Sequence, residues 1–198
     1  MIRHERIEDY LNRLASGEPT PGGGATGALM AAQGAGLVAM AARFSEREEL
    51  AARCEQIAAT ALGLSDADES GFASVADAFA LPQDTEAERA ERSQQIQESI
   101  KRAAEPPGAI VTVAAGVVRV ATELLQDCNQ NVLSDVGAAL GAERGALVAA
   151  VVTLETDLAP LKDPDAERRL RKDIDGAARL IEDVDALVTR VRRMIRGG

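Results

Sequence analysis

The chain has no tryptophan, one tyrosine and three phenylalanines, so aromatic residues make up only 2% of its 198 positions. A sandwich or barrel that relies on aromatic and β-branched pairs is poorly served by such a composition. A core must come from Ala, Leu, Val and Ile, which suits closely spaced helices. Positive charge is also short: 22 Lys and Arg face 32 Asp and Glu, giving a net charge of −10 and a pI near 4.7. Without a basic stripe or stacking platforms, a general nucleic-acid role is excluded. Cys54 and Cys128 form no CxxC pair, and with His4 as the single histidine there is no zinc-ligand set. No metal is expected, and the setting is expected to be reduced and cytoplasmic. His4, among charged neighbours, is read as a solvated surface residue.

The opening "MIRHERIEDYLNRL" lacks the apolar run of a signal peptide. Residues 25 to 42 reach the minimum length of a membrane span. They are mostly Ala and Gly with Gln33 among them, so transfer to hydrocarbon gains too little, and no membrane partner is expected.

What is present is helical periodicity, in a chain of a length suited to one domain. Ile2, Ile7, Leu11 and Leu14 predict an amphipathic helix over 2–15, ended by Gly17 and Pro19. A turn through Pro21, Gly22, Gly23 and Gly24 leads into a second, broadly apolar helix over 24–44, expected at the centre. Residues 46–80 predict one or two helices interrupted near Gly63 and stopped by Pro82. A polar helix follows over 84–104, with Thr85 and an acidic first turn at its start. "EPPG" at 105–108 ends it, and apolar helices are expected over 109–126 and 132–156. A charged amphipathic helix over 164–195 is expected on the surface of a bundle or in an oligomer interface. No strand pattern is present. The fold class is all-α, a single-domain helical bundle with Gly/Ala-rich central helices. Gly24, Ala28, Ala32 and Gly36 fall four apart, as do Gly137, Gly141 and Gly145, and both rows read as packing surfaces that bring helix axes close together.

Three stretches carry candidate chemistry. In "PTPGGGATG", a glycine turn before a helix N-terminus offers free N–H groups to a ligand, although it also makes a plain tight turn. In "LSDADESGFASVADAFALP", Asp66 and Asp68 are expected to open a helix with Phe72, Val75 and Phe79 on one face; acids there also stabilise a helix start without further function. In "NQNVLSDVGAAL", Asn131, Ser134 and Asp135 stand before or inside the first turn of an apolar helix, where capping gives the same pattern as a ligand site.

Taken in order, "LASGEPTPGGGATGAL", "DADESGFASVADAFALP" and "NVLSDVGAAL", with Pro107 in "AAEPPGA", resemble the cyclodeaminase/cyclohydrolase family over roughly residues 5 to 155. The resemblance implies a helical subunit that forms a homodimer and binds a tetrahydrofolate derivative at the PTPGGG loop and neighbouring helix ends, with no other cofactor. The implied reaction is hydrolysis of 5,10-methenyltetrahydrofolate to 10-formyltetrahydrofolate, or the related formimino cyclodeamination. Either one needs positioned carboxylates for proton transfer and for stabilising a cationic amidine carbon. Asp135 and Asp68 are the candidate catalytic acids, and Pro21, Gly22, Gly23, Gly24, Asp66, Asn131 and Ser134 the candidate substrate-binding residues. Four positions depart from the family pattern: Ala25 in place of Ser, Gly108 in place of Leu, and Ala149 and Thr153 in place of Asn. Those departures keep open a non-catalytic scaffold or binding protein, and the same fold acting on another cyclic amidine or imine.

Overall fold

A computed structural model describes residues 1–197. It contains seven α-helices, α1 (Ile7–Leu14), α2 (Gly23–Phe44), α3 (Glu48–Phe79), α4 (Glu86–Ala103), α5 (Glu105–Leu124), α6 (Leu133–Leu158) and α7 (Pro164–Ile195), with short 3-10 turns at Ile2–His4 and Gln130–Val132, and no strand among the described residues. The bundle is all-α, as the periodicity requires.

Helix α2 is central because it has almost nothing to show to water. Twelve of its residues are buried, all of them Ala, Gly or Val, and it lies between α3 and α6 with α5 beside it. Small side chains give little area each, so they stabilise only by letting backbones approach closely. The closest approach to α6 runs through Gly27 and Gly34. A Cβ on Gly27 would stand 3.0 Å from the Ala149 Cβ, and one on Gly34 would overlap the Glu143 carboxyl. The predicted row is therefore displaced: Gly36 faces open space, Gly24 faces Asp68 of α3, and of the α6 glycines Gly145 meets Met30 while nothing lies within 4 Å of a Cβ on Gly141. Composition marked the helices that pack tightly; which glycines touch depends on the crossing geometry.

Other boundaries were moved by tertiary contacts. The first predicted helix is split into the 3-10 turn and α1, the turn held by Arg3 to Asp66 and α1 by Arg13 to Glu69. Gly63 does not interrupt α3, which runs unbroken for 32 residues, so Asp66 and Asp68 lie in its interior instead of opening a helix. The "EPPG" break costs a single residue, Ala104, because Pro106 and Pro107 occupy the first turn of α5, where their missing N–H groups have no helical partner to lose. Thr85 and Glu88 close a capping box on α4. Along α7, Leu170, Ala177, Val184 and Val191 are buried at a seven-residue spacing, forming one seam against α6 and α5. Three helical stretches, in α2, across α4–α5 and in α6, are long and apolar enough to cross a membrane by length and composition; in the fold, most of the α2 stretch is buried against its neighbours. Both cysteines are buried and unpaired.

Candidate functional site

The glycine loop meets α3 at a side chain. Gly22 caps α2 without a side-chain acceptor, which leaves first-turn N–H groups in need of a partner. Asp68 supplies one from the middle of α3: its Oδ2 accepts the Ala25 N–H at 2.9 Å. A Cβ on Gly24 would overlap this carboxylate, so glycine at that position is what lets the acid come so close. Residue 25 meets Asp68 through its backbone, and its side chain, Ala where the family pattern has Ser, is fully buried. Thr26 donates to the Gly22 carbonyl at 2.9 Å and pairs with the Tyr10 hydroxyl at 3.0 Å, pinning the loop to α1. The Thr20–Pro21 peptide is cis.

A cleft of about 470 Å³ opens on this junction, within the range of small-molecule sites. Pro19, Thr20 and Gly22 to Gly24 form one wall; Asp68, Phe72, Val75 and Phe79 of α3 form the second; Ile100 and Ala103 of α4 form the floor. The end of α6 closes it with Val152, Thr153, Thr156 and Asp157. The face shared by Phe72, Val75 and Phe79, visible in the sequence, is thus the apolar wall, with Phe72 and Phe79 partly exposed.

The lining has two titratable groups, Asp68 and Asp157, and no cation. Burial pushes the Asp68 carboxyl above the usual range, opposed by the Ala25 N–H and supported by Glu69. Burial also pushes Asp157 up to about 6, with the charge of Asp68 adding to the shift, and Asp157 Oδ2 is buried without a hydrogen-bond partner. Two acids sharing a desolvated, cation-free space favour a positively charged guest, and each raises the cost of ionising the other.

The expected site residues divide. Gly22, Gly23, Gly24 and Asp68 meet in the cleft, while Pro21 is buried behind the loop. Asp66 faces away, engaged with Arg3, which holds its carboxyl below the usual range against the effect of burial. Asp135, Ser134 and Asn131 lie at the opposite end of α6 from the cleft. Asp135 and Thr153 point in one direction from the helix axis but stand about five turns and roughly 27 Å apart, so one protomer does not bring Asp135 to Asp68. Asp157 was not anticipated. It sits at the C-terminal end of a long apolar helix with no motif around it, and only its apolar setting on α6 sets it apart from the other acids. Thr153 donates to the Ala149 carbonyl at 2.9 Å, and Ala149 is pressed against Gly27; at these two departures from the family pattern, one residue lines the cleft and the other makes the α2–α6 contact.

A bundle of long helices enclosing two carboxylates beside a glycine turn defines a class: all-α enzymes that hold a small molecule between helix ends. The chain belongs to the formiminotransferase-cyclodeaminase family, whose model matches residues 6–176. It is 31% identical over 208 residues to a methenyltetrahydrofolate cyclohydrolase of Methylorubrum extorquens, with 99% of this chain and 98% of that protein covered. The crystal structure of formiminotetrahydrofolate cyclodeaminase from Thermotoga maritima superposes with a TM-score of 0.84 at 22% identity, covering 100% of this chain and 98% of the other, and shares the fold.

Proposed function

We propose that this chain is an enzyme of folate one-carbon metabolism that hydrolyses 5,10-methenyltetrahydrofolate to 10-formyltetrahydrofolate. The observation that carries the reading is the cation-free cleft in which Asp68, anchored on the Ala25 N–H, faces Asp157 beside the triple-glycine loop. The methenyl bridge is an amidinium cation. An anchored carboxylate lowers the energy of that charge, and an apolar wall of Phe72, Val75 and Phe79 suits the flat ring system. Water adds to the bridge carbon with loss of one proton, the carbon–N5 bond then breaks as N5 takes up a proton, and the formyl group stays on N10. Full-length similarity to a cyclohydrolase favours hydrolysis over cyclodeamination.

The working unit in this reading is a homodimer. Gln33 and Gly36 of α2 and Ala138, Gly141, Val148 and Val152 of α6 are exposed, carry no charge and lie on the two helices that pack together. Smooth helical faces of this kind associate by close approach. Since Asp135 and Thr153 leave α6 in the same direction, antiparallel pairing of two α6 helices carries Asp135 of each copy toward the other copy's cleft, giving Asp135, Ser134 and Asn131 a place in a composite site.

The direct test follows the loss of methenyltetrahydrofolate absorbance with purified protein against the buffer rate, alongside melting with and without folinic acid. Acceleration with stabilisation is expected. Neither effect at any protein concentration would remove the reading.

A further inference from the structure

Asp157 is the feature of the cleft that neither the sequence motifs nor the family pattern accounts for. Three observations set it apart from Asp68. Asp68 spends one oxygen on the Ala25 N–H, which fixes its position and favours its charged form. Asp157 has no hydrogen bond tying it down, and its Oδ2 is buried yet unpartnered beside the cleft. It also stands on α6 next to Thr153 and Thr156, the other polar side chains with which this helix lines the cleft.

Resting on the hydrolytic reading above, we infer that Asp157 is the proton-transfer group of this site, with Asp68 as the fixed charge that faces the cation. Asp157 takes a proton from water as the oxygen–carbon bond to the methenyl bridge forms, leaving a neutral carbinolamine. It gives that proton to N5 as the carbon–N5 bond breaks. The hydroxyl proton leaves to solvent as the formyl C=O forms, so cation and water become neutral product and one released proton. No oxidant, reductant or co-reactant is needed.

The division of labour follows from the surroundings. A base that must cycle through its protonated form works best with a proton affinity near the working pH, and burial together with the facing charge of Asp68 brings Asp157 to about 6. Asp68 on α3 is the charged group of the lining that confronts it; the loop 19–24 and the α4 residues Ile100 and Ala103 contribute no titratable side chain. A backbone N–H donated to Asp68 favours its charged form, so each protonation there would work against that hydrogen bond, whereas Asp157 has none to oppose it.

The test compares wild type, Asp157→Asn and Asp157→Glu. With methenyltetrahydrofolate as substrate, Asp157→Asn is expected to lower kcat at least about 100-fold, the low end of the range for general acid–base groups, while KM and folinic acid binding stay within about threefold and the melting temperature does not fall. The acidic limb of the wild-type kcat/KM profile, expected near 6, should be absent from the residual activity of Asp157→Asn. Asp157→Glu should recover part of kcat and restore the limb. An active wild type whose Asp157→Asn variant keeps both kcat and the acidic limb overturns the inference and leaves the hydrolase reading standing. Equal loss of folinic acid binding and turnover in Asp157→Asn also overturns it, since that reports a binding role. A wild type that neither binds folinic acid nor turns over fails earlier, at the function itself.

Discussion

Asp68, in the interior of α3, accepts the N–H of Ala25 in the first turn of α2 at 2.9 Å. One oxygen thus caps the central helix of the bundle from a neighbouring helix and sets the carboxylate at the mouth of the cleft. Fold and site share this contact, so a change that breaks it should register in both stability and turnover, and one that keeps the bond but removes the charge in turnover alone.

Gly24→Ala drives a methyl group into that carboxylate. We expect a stability loss of about 1 to 3 kcal/mol, typical of overpacking, and loss of turnover as Asp68 is displaced. Asp68→Asn keeps the acceptor and the shape but removes the charge, so it should melt close to wild type and still lose methenyltetrahydrofolate hydrolysis. Thermal unfolding and initial rates on both variants separate the two roles; an Asp68→Asn protein with wild-type kcat would show that the charge is not needed.

Glu143 tests the core in a different way. It is fully buried between α6 and α2, both its oxygens lack partners, and burial pushes it up to about 9. The folded chain therefore holds a proton that the unfolded chain gives up in the usual carboxylate range. Stability conferred by the neutral form is greatest below that range and declines as pH rises toward about 9. Glu143→Gln and Glu143→Leu should flatten this decline, and Glu143→Leu should raise the melting temperature at pH 8, at roughly 2 to 4 °C per kcal/mol recovered. Melting curves from pH 5 to pH 9 decide it: equal slopes in wild type and Glu143→Gln would mean that another group titrates.

The proposed dimer face has an open position at Gly141, where nothing in the protomer lies within 4 Å of an added Cβ. Gly141→Glu should leave the protomer folded, since Glu favours helix over Gly, yet place charge in the seam. Sedimentation is expected to show dimeric wild type and monomeric variant. A dimer that survives the substitution is built on another face.

If Asp135 serves the partner's cleft, two inactive variants should repair each other. Asp68→Asn mixed with Asp135→Asn gives hybrid dimers in which one cleft has both native acids, so unfolding and refolding the mixture should return about a quarter of wild-type activity under statistical pairing. No recovery, with both single variants inactive and dimeric, would place Asp135 in the service of its own chain.

How much of this was legible beforehand differs from element to element. Helical periodicity located α2, α6 and α7 to within a few residues because each keeps an apolar or amphipathic pattern over many turns. It misjudged Gly63, since a glycine that weakens an isolated helix is tolerated in one packed along its length. Phe72, Val75 and Phe79 were visible as a face, and the glycine loop as a turn before a helix. Asp68 was named but placed at a helix start, because Asp66 and Asp68 look like an acidic first turn when the burial of α3 on α2 is unknown. Asp157 had no signal beyond its place on an apolar helix.

By itself the sequence determined an all-helical bundle with a small-residue centre: aromatic poverty, alanine abundance and long 3.6-residue periods leave little else that can bury a core. The tertiary structure alone decided which polar groups meet. Asp68 and Asp157 lie far apart in the chain and come to one cleft because α3 and α6 both pack on α2, with α6 running antiparallel to it, while Asp135, on the same helix as Asp157, is carried to the other end. Distance along a helix is fixed locally at 1.5 Å per residue, whereas proximity between helices depends on crossing points set by which glycines admit a neighbour.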